Sequence, residues 1–398
     1  MARKKVTEEK SSGEKREQSL AERTQILDKL CAYLSVNTGI IAGRPDVSES
    51  VKERLTFKFF ETPIPELNEA LGGGFPVGKM VLIAGPEDCG KTGTCMSFIA
   101  HQHKINPNFI AAWCESEDSL DINKAESLYG IDKDRFYAIS NRRPDSPKEV
   151  FGAEAMGNAI KAMIESTHID CVVINSLKML VPMVESKKNL EEESIALQAR
   201  YNAKLIKLLI PLCAEQGTTL IIVQHYTTKI GVMFGNPVDI AGGRAIRYNN
   251  MCTLEFGAVK PNDGDPVNSA TGLKIHVRVT KNHCVIDRNP RVDFYFYVEY
   301  GKGIERHVST LNLLMKQGIV KQAGAWYCIV DDNGEKNQEF SWQGKNAYKA
   351  DMEAHPEKFE QLCGLLRGES LVNELSAEEI AEIEEQEAED AAIMEKAG

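Results

Sequence analysis

Apolar positions along the chain change rhythm three times, and each rhythm predicts a different kind of element. Between about Ser19 and Ser35, Leu20, Ile26, Leu27, Leu30, Cys31 and Leu34 form a helical stripe. One amphipathic helix cannot bury that stripe on itself, so it must pack on its own core or on a neighbouring subunit. From Met80 to Gln224, short and almost wholly apolar runs (Met80–Ala84, Phe109–Cys114, Ile169–Asn175, Thr219–Gln224) alternate with helical segments at Thr94–His103, Asp121–Leu128, Lys148–Ser166 and Ser194–Glu215. Continuous apolar strands separated by helices predict a mostly parallel sheet covered on both faces. In the third rhythm, Leu273, Ile275, Val277 and Val279 alternate with Lys274, His276, Arg278 and Thr280, and a second alternating run covers Arg291–Tyr300. Those are half-buried antiparallel strands that extend the sheet.

Breakers and polar runs divide the chain. Residues 1–16 mix Lys, Arg, Glu and Ser with almost nothing apolar and read as a disordered tail. Residues 17–55 hold the striped helix and a linker broken by Gly39, Gly43 and Pro45. Residues 56–303 are expected to form the main α/β core, entered by a short helix at Thr62–Leu71 and a glycine turn at 72–74. A small α/β domain is expected over 304–368, with a helix at Val308–Lys316 and a Trp326-Tyr327 hairpin, and an acidic tail over 369–398.

Composition adds little until charge is placed. The chain of 398 residues carries a net charge of −11, but Glu374–Gly398 holds ten acidic residues against Lys396, a local −9. The rest sits near −2, which removes the charge objection to a nucleic-acid partner without arguing for one. No apolar run approaches the ~20 residues of a membrane span, and the charged start predicts no secretory leader. The ten cysteines include no C-x-x-C pair and fit reduced thiols in a cytoplasmic protein.

Candidate chemistry begins at Gly85-Pro86-Glu87-Asp88-Cys89-Gly90-Lys91-Thr92, followed by Gly93. This is G-x-x-x-x-G-K-[ST] between a predicted strand and a predicted helix, the setting of a phosphate-binding loop. Glycines let backbone N–H groups close on phosphate oxygens, and the helix N-terminus adds a field that favours anions. Lys91 supplies a positive charge near the outer phosphates, and the Thr92 hydroxyl is a direct Mg²⁺ ligand. A nucleoside triphosphate is the expected ligand.

Two further features accompany the loop. The Phe109–Cys114 strand ends in Glu115-Ser116-Glu117-Asp118, where a carboxylate could activate water for attack on the γ-phosphorus; spacing does not choose among the three. The next strand carries Asn175 where a Walker B aspartate is expected. Its amide can accept from a Mg²⁺-bound water but brings no charge, so weaker metal binding is expected. Separately, the glycine- and proline-broken stretch Tyr226–Pro237 holds Ile230, Val232, Met233 and Phe234 beside Lys229. An apolar loop is either folded back on the core or built to contact phosphates and wedge against bases.

Lys229-Ile230-Gly231-Val232-Met233-Phe234-Gly235-Asn236-Pro237, followed by Gly242-Gly243, closely resembles the second DNA-binding loop of bacterial RecA recombinases. The resemblance runs from about Phe59 to Gly368. It includes Gly85–Thr92, Glu115–Glu117, Ser176, Gly257–Lys260, Lys281-Asn282, Tyr300–Gly303 and Ala323–Tyr327. It implies that Glu117 is the carboxylate that activates water, that Asp121 and Tyr300 lie near the adenine, and that Lys281 reaches a neighbouring subunit's triphosphate. It further implies a first DNA loop at Glu185–Ile195, DNA-backbone contacts from Arg200 and Lys207, and an N-terminal helix that packs on the adjacent subunit. Gly242 and Gly243 close the second DNA loop, and Ile230 matches the apolar residue that separates base triplets.

Three departures stand out from this pattern: Asn175, His225 at the γ-phosphate sensor position, and His283 where a second interface lysine is expected. With the unusual N-terminus, they are what a phage-encoded relative would show. The expected fold is therefore a RecA-type P-loop ATPase core with a mostly parallel central sheet, an N-terminal polymerisation arm and a small C-terminal domain. The expected function is an ATP- and Mg²⁺-dependent, DNA-dependent ATPase that forms filaments on single-stranded DNA and pairs it with homologous duplex. Two alternatives remain: an ATP-binding DNA filament with weak hydrolysis, and a helicase on the same core.

Overall fold

The computed structural model describes residues 19–38, 40–117, 120–142, 151–183, 195–228, 238–285, 289–330 and 336–369. The apolar loop 229–237, nearly all of the first DNA-loop segment and the acidic tail from residue 370 on lie outside the described residues. The chain divides into two compact units, Met1–Phe59 and Phe60–Gly398.

The first unit holds α1 (Leu20–Thr38) and α2 (Glu49–Leu55). A reciprocal cap starts α1: Ser19 N donates to Glu22 Oε2 at 2.8 Å, and Glu22 N donates to Ser19 Oγ at 3.3 Å. The stripe is real and bare. No residue of α1 is buried, and Leu20, Ile26, Leu27, Leu30, Tyr33 and Val36 are all exposed. Sequence reading treated the stretch before Thr56 as linker, yet Ser48 begins a short helix there and Val51 is buried.

The second unit is built on a ten-stranded sheet. Its elements in chain order begin α3 (Pro65–Leu71), β1 (Met80–Gly85), α4 (Lys91–Ile105), β2 (Ala111–Glu115), β3 (Phe136–Ser140), α5 (Ala153–Glu165) and β4 (Cys171–Asn175). They continue with α6 (Ile195–Gln216), β5 (Thr219–Thr228), β6 (Val238–Ile240), α7 (Arg244–Asn249), β7 (Cys252–Val259), β8 (Gly272–Asn282), β9 (Asp293–Glu299) and β10 (Gly303–Glu305). The strand order is β10-β9-β8-β7-β1-β5-β4-β2-β3, with β6 paired to β5. Neighbours from β3 through to β7 run parallel, while β8, β9 and β10 are antiparallel additions, as the two rhythms predicted.

Alternation along β1 fills two cores. Val81 and Ile83 face a layer with Cys95, Met96 and Ile99 of α4, whereas Leu82 and Ala84 face Ile160 of α5 and Leu205 and Leu209 of α6. Both faces of the sheet are therefore dry, which is why its strands read as continuous apolar runs. Beyond β10, α8 (His307–Lys316), a three-stranded sheet of β11 (Val320–Ala323), β12 (Trp326–Val330) and β13 (Lys336–Gln343), and two helices, α9 (Lys345–Ala354) and α10 (Pro356–Leu366), enclose a cluster of Leu311, Trp342, Tyr348 and Phe359.

Several expectations shift. The helix predicted over Asp121–Leu128 is one α turn, Ile122–Lys124, widening into a π turn at Ala125–Tyr129. The strand predicted to stop at Gln224 continues to Thr228. Strand β3 is not predicted, and β7 is foreshadowed only by a strand-like run at Cys252.

Candidate nucleotide site and DNA-facing surface

Parallel register brings the carboxyl ends of four strands into one row. Glu115 pairs with Asn175, Asn175 with Val223, and Gly85 with His225. Ligands of open α/β sheets gather at that edge.

The loop from Gly85 to Gly90 carries the chain from β1 into α4. A Cβ on Gly85 would lie 2.5 Å from the Phe256 carbonyl oxygen, so only glycine allows β7 to approach there. Gly90 caps α4 with φ 85°, in the left-handed region, and Asp88 sits there too at φ 54°. Lys91 is buried; its Nζ donates to Gly85 O at 3.1 Å and to Pro86 O, closing the loop on itself. Cys89 Sγ donates to Pro86 O at 3.0 Å, so this thiol braces the same turn.

Residues 87–93 line a cavity of about 720 Å³. Glu117, Asn175 and His225 line its wall, as does Tyr300. Glu117 Oε1 accepts from Ser176 Oγ at 2.6 Å and lies 3.3 Å from His225 Nε2. Residues from three adjacent strands thus converge on one carboxylate oxygen. Glu115 is excluded by its own bonds: one oxygen accepts from Trp113 Nε1 at 3.0 Å, the other from Glu117 N at 2.6 Å. Ser116 stitches the strand ends together, its Oγ accepting from Ser176 N at 2.9 Å and donating towards Ser176 O at 2.8 Å. Asp118, the third candidate, is outside the described residues.

The cavity suits a Mg²⁺-triphosphate. It has room for the group, a helix N-terminus behind it, a lysine on the loop, and two buried polar atoms without a protein partner, Asn175 Nδ2 and His225 Nδ1. Thr92 is exposed at the mouth, where its hydroxyl is free to meet a cation. Asn175 is 1% exposed, and its unpartnered group is a donor rather than the acceptor a metal-bound water would want.

Other predicted residues separate. Asp121 is exposed and caps the turn after it, accepting from Asn123 N at 3.0 Å; it does not line the cavity. Tyr129, which sequence reading missed, does. A Cβ on Gly93 would lie 3.0 Å from its hydroxyl, so the ring closes over the start of α4. Its position just before Gly130, a left-handed C-cap, was the available signal. Lys281 lines a different cavity of about 1250 Å³, which shares no lining residue with the first. Its Nζ donates to the carbonyls of Tyr248 at 2.9 Å and Asn250 at 2.6 Å, and partial burial lowers its pKa. Arg244, Arg247, Arg278, His283 and Arg291 line that cavity too, with Asp239, Glu255 and Asp293 among them; Arg247 pairs with Asp239 and Arg278 with Asp293, so the wall is of mixed charge with a modest basic excess.

Of the predicted DNA contacts, Lys229–Phe234 are outside the described residues. Arg200 and Lys207 are exposed on α6, and Lys204 completes a basic row at helical spacing that sequence reading missed. Gly242 and Gly243, at φ 97° and 92°, form the turn into α7, and Asn202 Nδ2 of α6 donates to Gly242 O at 3.3 Å. The turn where the apolar loop re-enters the core is therefore tied to the basic helix.

Comparison with known proteins agrees with this architecture. The RecA N-terminal domain family matches residues 49–305. A protein RecA of Mesoplasma florum is 31% identical over 297 residues, covering 74% of this chain and 82% of the relative. Another from Borrelia hermsii is 33% identical over 267 residues (67% of this chain, 71% of the relative), and one from Rubrobacter xylanophilus is 32% identical over 295 residues (73% and 78%). The chain belongs to the RecA family.

Proposed function

We propose that this chain is a DNA-dependent ATPase that assembles on single-stranded DNA and promotes homologous pairing and strand exchange. The observation that carries the reading is the convergence on Glu117 of Ser176 and His225 inside the phosphate-loop cavity. His225 lies on β5, the strand that runs straight into the apolar loop beginning at Lys229. A group that meets the outer phosphate and a segment that meets DNA are then four positions apart on one backbone. Occupancy of one is felt by the other.

In this reading the loop residues 85–93 hold the triphosphate, with Thr92 and, through water, Asn175 holding Mg²⁺. The ion supplies charge neutralisation at the phosphates. Glu117 orients and deprotonates water, Ser176 fixes its carboxylate, and Tyr300 stacks near the base. Asp121 is a weaker candidate for the base because its carboxylate is engaged as a cap. Lys281 presents charge to a neighbouring copy, so each site is completed in trans. Arg200, Lys204 and Lys207 hold DNA phosphates while residues 229–234 space the bases.

Asn175 favours a second reading, a filament that binds ATP and DNA but turns over slowly. Mixing circular single-stranded DNA with homologous linear duplex tests the recombinase claim: ATP-dependent joint molecules are expected. Unwinding of a forked duplex without joint molecules would instead identify a helicase.

A further inference from the structure

The cavity that Lys281 lines has a pair of thiols on the segments behind it. Cys252 opens β7 and pairs with Asn282 of β8; Cys284 lies two residues beyond that partner, past the strand end. Their sulfurs are 3.8 Å apart, the one thiol–thiol hydrogen bond among the described residues. Asn282 stands against both: its Oδ1 accepts from Cys284 N at 2.8 Å and lies 3.5 Å from Cys252 Sγ, while its Nδ2 donates to Ala70 O at 3.0 Å. We propose that Cys252 and Cys284 are a reversible dithiol–disulfide pair that controls the placement of Lys281.

The two thiols are unequal in a way that suits the chemistry. Cys252 is fully buried, and its pKa is pushed well up because its proton is held by Cys284 and its burial disfavours charge. Cys284 is half-buried, and its pKa is lowered by the S–H donated from Cys252 and by the Lys79 ammonium. Cys284 is thus the attacking sulfur. Its thiolate attacks one sulfur of a low-molecular-weight disulfide, whose S–S bond breaks and releases one thiolate. Cys252 then attacks Cys284 Sγ, passing its proton to the departing thiolate and releasing the second thiol. Two electrons leave the protein dithiol, and one small disulfide becomes two thiols.

A protein disulfide needs about 2.05 Å between sulfurs, so the pair must close by less than 2 Å. The sheet holds Cys252 between β1 and β8, leaving the segment after Asn282 to move. That draws Cys252 Sγ away from Asn282 Oδ1 and shifts His283, whose N–H donates to Met251 O at 3.1 Å. Lys281 sits on the same two segments, its ammonium on Asn250 O just before Met251-Cys252. The consequence for activity rests on the trans role proposed for Lys281; the disulfide itself does not.

Full-length protein without nucleotide or DNA is incubated with glutathione disulfide, its remaining thiols are alkylated, and its unreduced peptides are mapped by mass. The expected result is a Cys252–Cys284 cross-linked peptide, lighter by two hydrogens, reversed by dithiothreitol and missing from Cys284→Ser. Oxidised wild-type should lose single-stranded-DNA-stimulated turnover several-fold and regain it on reduction, while oxidant leaves Cys284→Ser turnover unchanged. A glutathione adduct on Cys284 without cross-link, or no reaction at either thiol, overturns the pair. Cross-linking with unaltered turnover overturns its control of Lys281. A protein that cross-links but never hydrolyses ATP when reduced upholds the pair and contradicts the ATPase reading instead.

Discussion

Glu117 is held at both its carboxylate and its backbone. Its Oε1 is shared between the Ser176 hydroxyl and the His225 ring, and its backbone N–H is committed to Glu115. Glu117→Gln keeps the size and the Ser176 bond but cannot take a proton from water. We expect ATP turnover to fall about 100-fold or more while ATP-dependent binding to single-stranded DNA survives, read by phosphate release and by fluorescence anisotropy of labelled DNA. Loss of DNA binding in that variant would show that Glu117 is structural. Asn175 gives the complementary test. Its buried Nδ2 is a donor without a partner, facing a site that wants acceptors. Asn175→Asp should lower the Mg²⁺ concentration for half-maximal turnover several-fold, because a carboxylate adds the missing charge. An unchanged Mg²⁺ titration would remove Asn175 from the metal site.

At the scale of elements, α1 is the piece whose stability is least self-explanatory. It is capped at Ser19, yet its apolar stripe has no buried residue. A polymerisation arm would cover that stripe with a second copy. Leu27→Asp together with Leu30→Asp should leave the thermal transition of the larger unit unchanged and reduce assembly, seen as a smaller species by light scattering at equal concentration. Unaltered assembly would mean that the stripe is not the contact. Legibility also divides by element. The strands β1, β4 and β5 showed as apolar runs because both of their faces are dry. Strand β3 did not, since at the sheet edge Tyr137 is exposed and Phe136 and Ile139 break the alternation. Strand β7 showed only as a strand-like run at Cys252, although Cys252, Leu254 and Phe256 alternate with Thr253, Glu255 and Gly257 and β1 and β8 hold it in the sheet. The phosphate loop was plain from sequence because its chemistry is local. The choice of Glu117 over Glu115 depends on Trp113 and Ser176, which only folding brings near, and spacing could not supply it.

For the whole molecule, charge is distributed in a way that suggests competition. Arg200, Lys204 and Lys207 expose a basic row, while the last 25 residues carry a net −9. Removing residues after Leu371 should tighten binding to single-stranded DNA at low salt and lessen the difference as salt rises, since screening acts on both charges. Equal affinity at low salt would mean the tail does not compete. In the proposed reading, a cavity that ends in Glu117, a strand that leads to a loop that contacts DNA and a cation given in trans work as one machine only when copies stack.

The most direct measurement is therefore phosphate release with and without single-stranded DNA, with electron microscopy of the same sample. DNA-stimulated turnover together with ATP-dependent helical filaments is the predicted result. Turnover indifferent to DNA, or stimulated turnover in a sample that forms no filaments, would contradict the account.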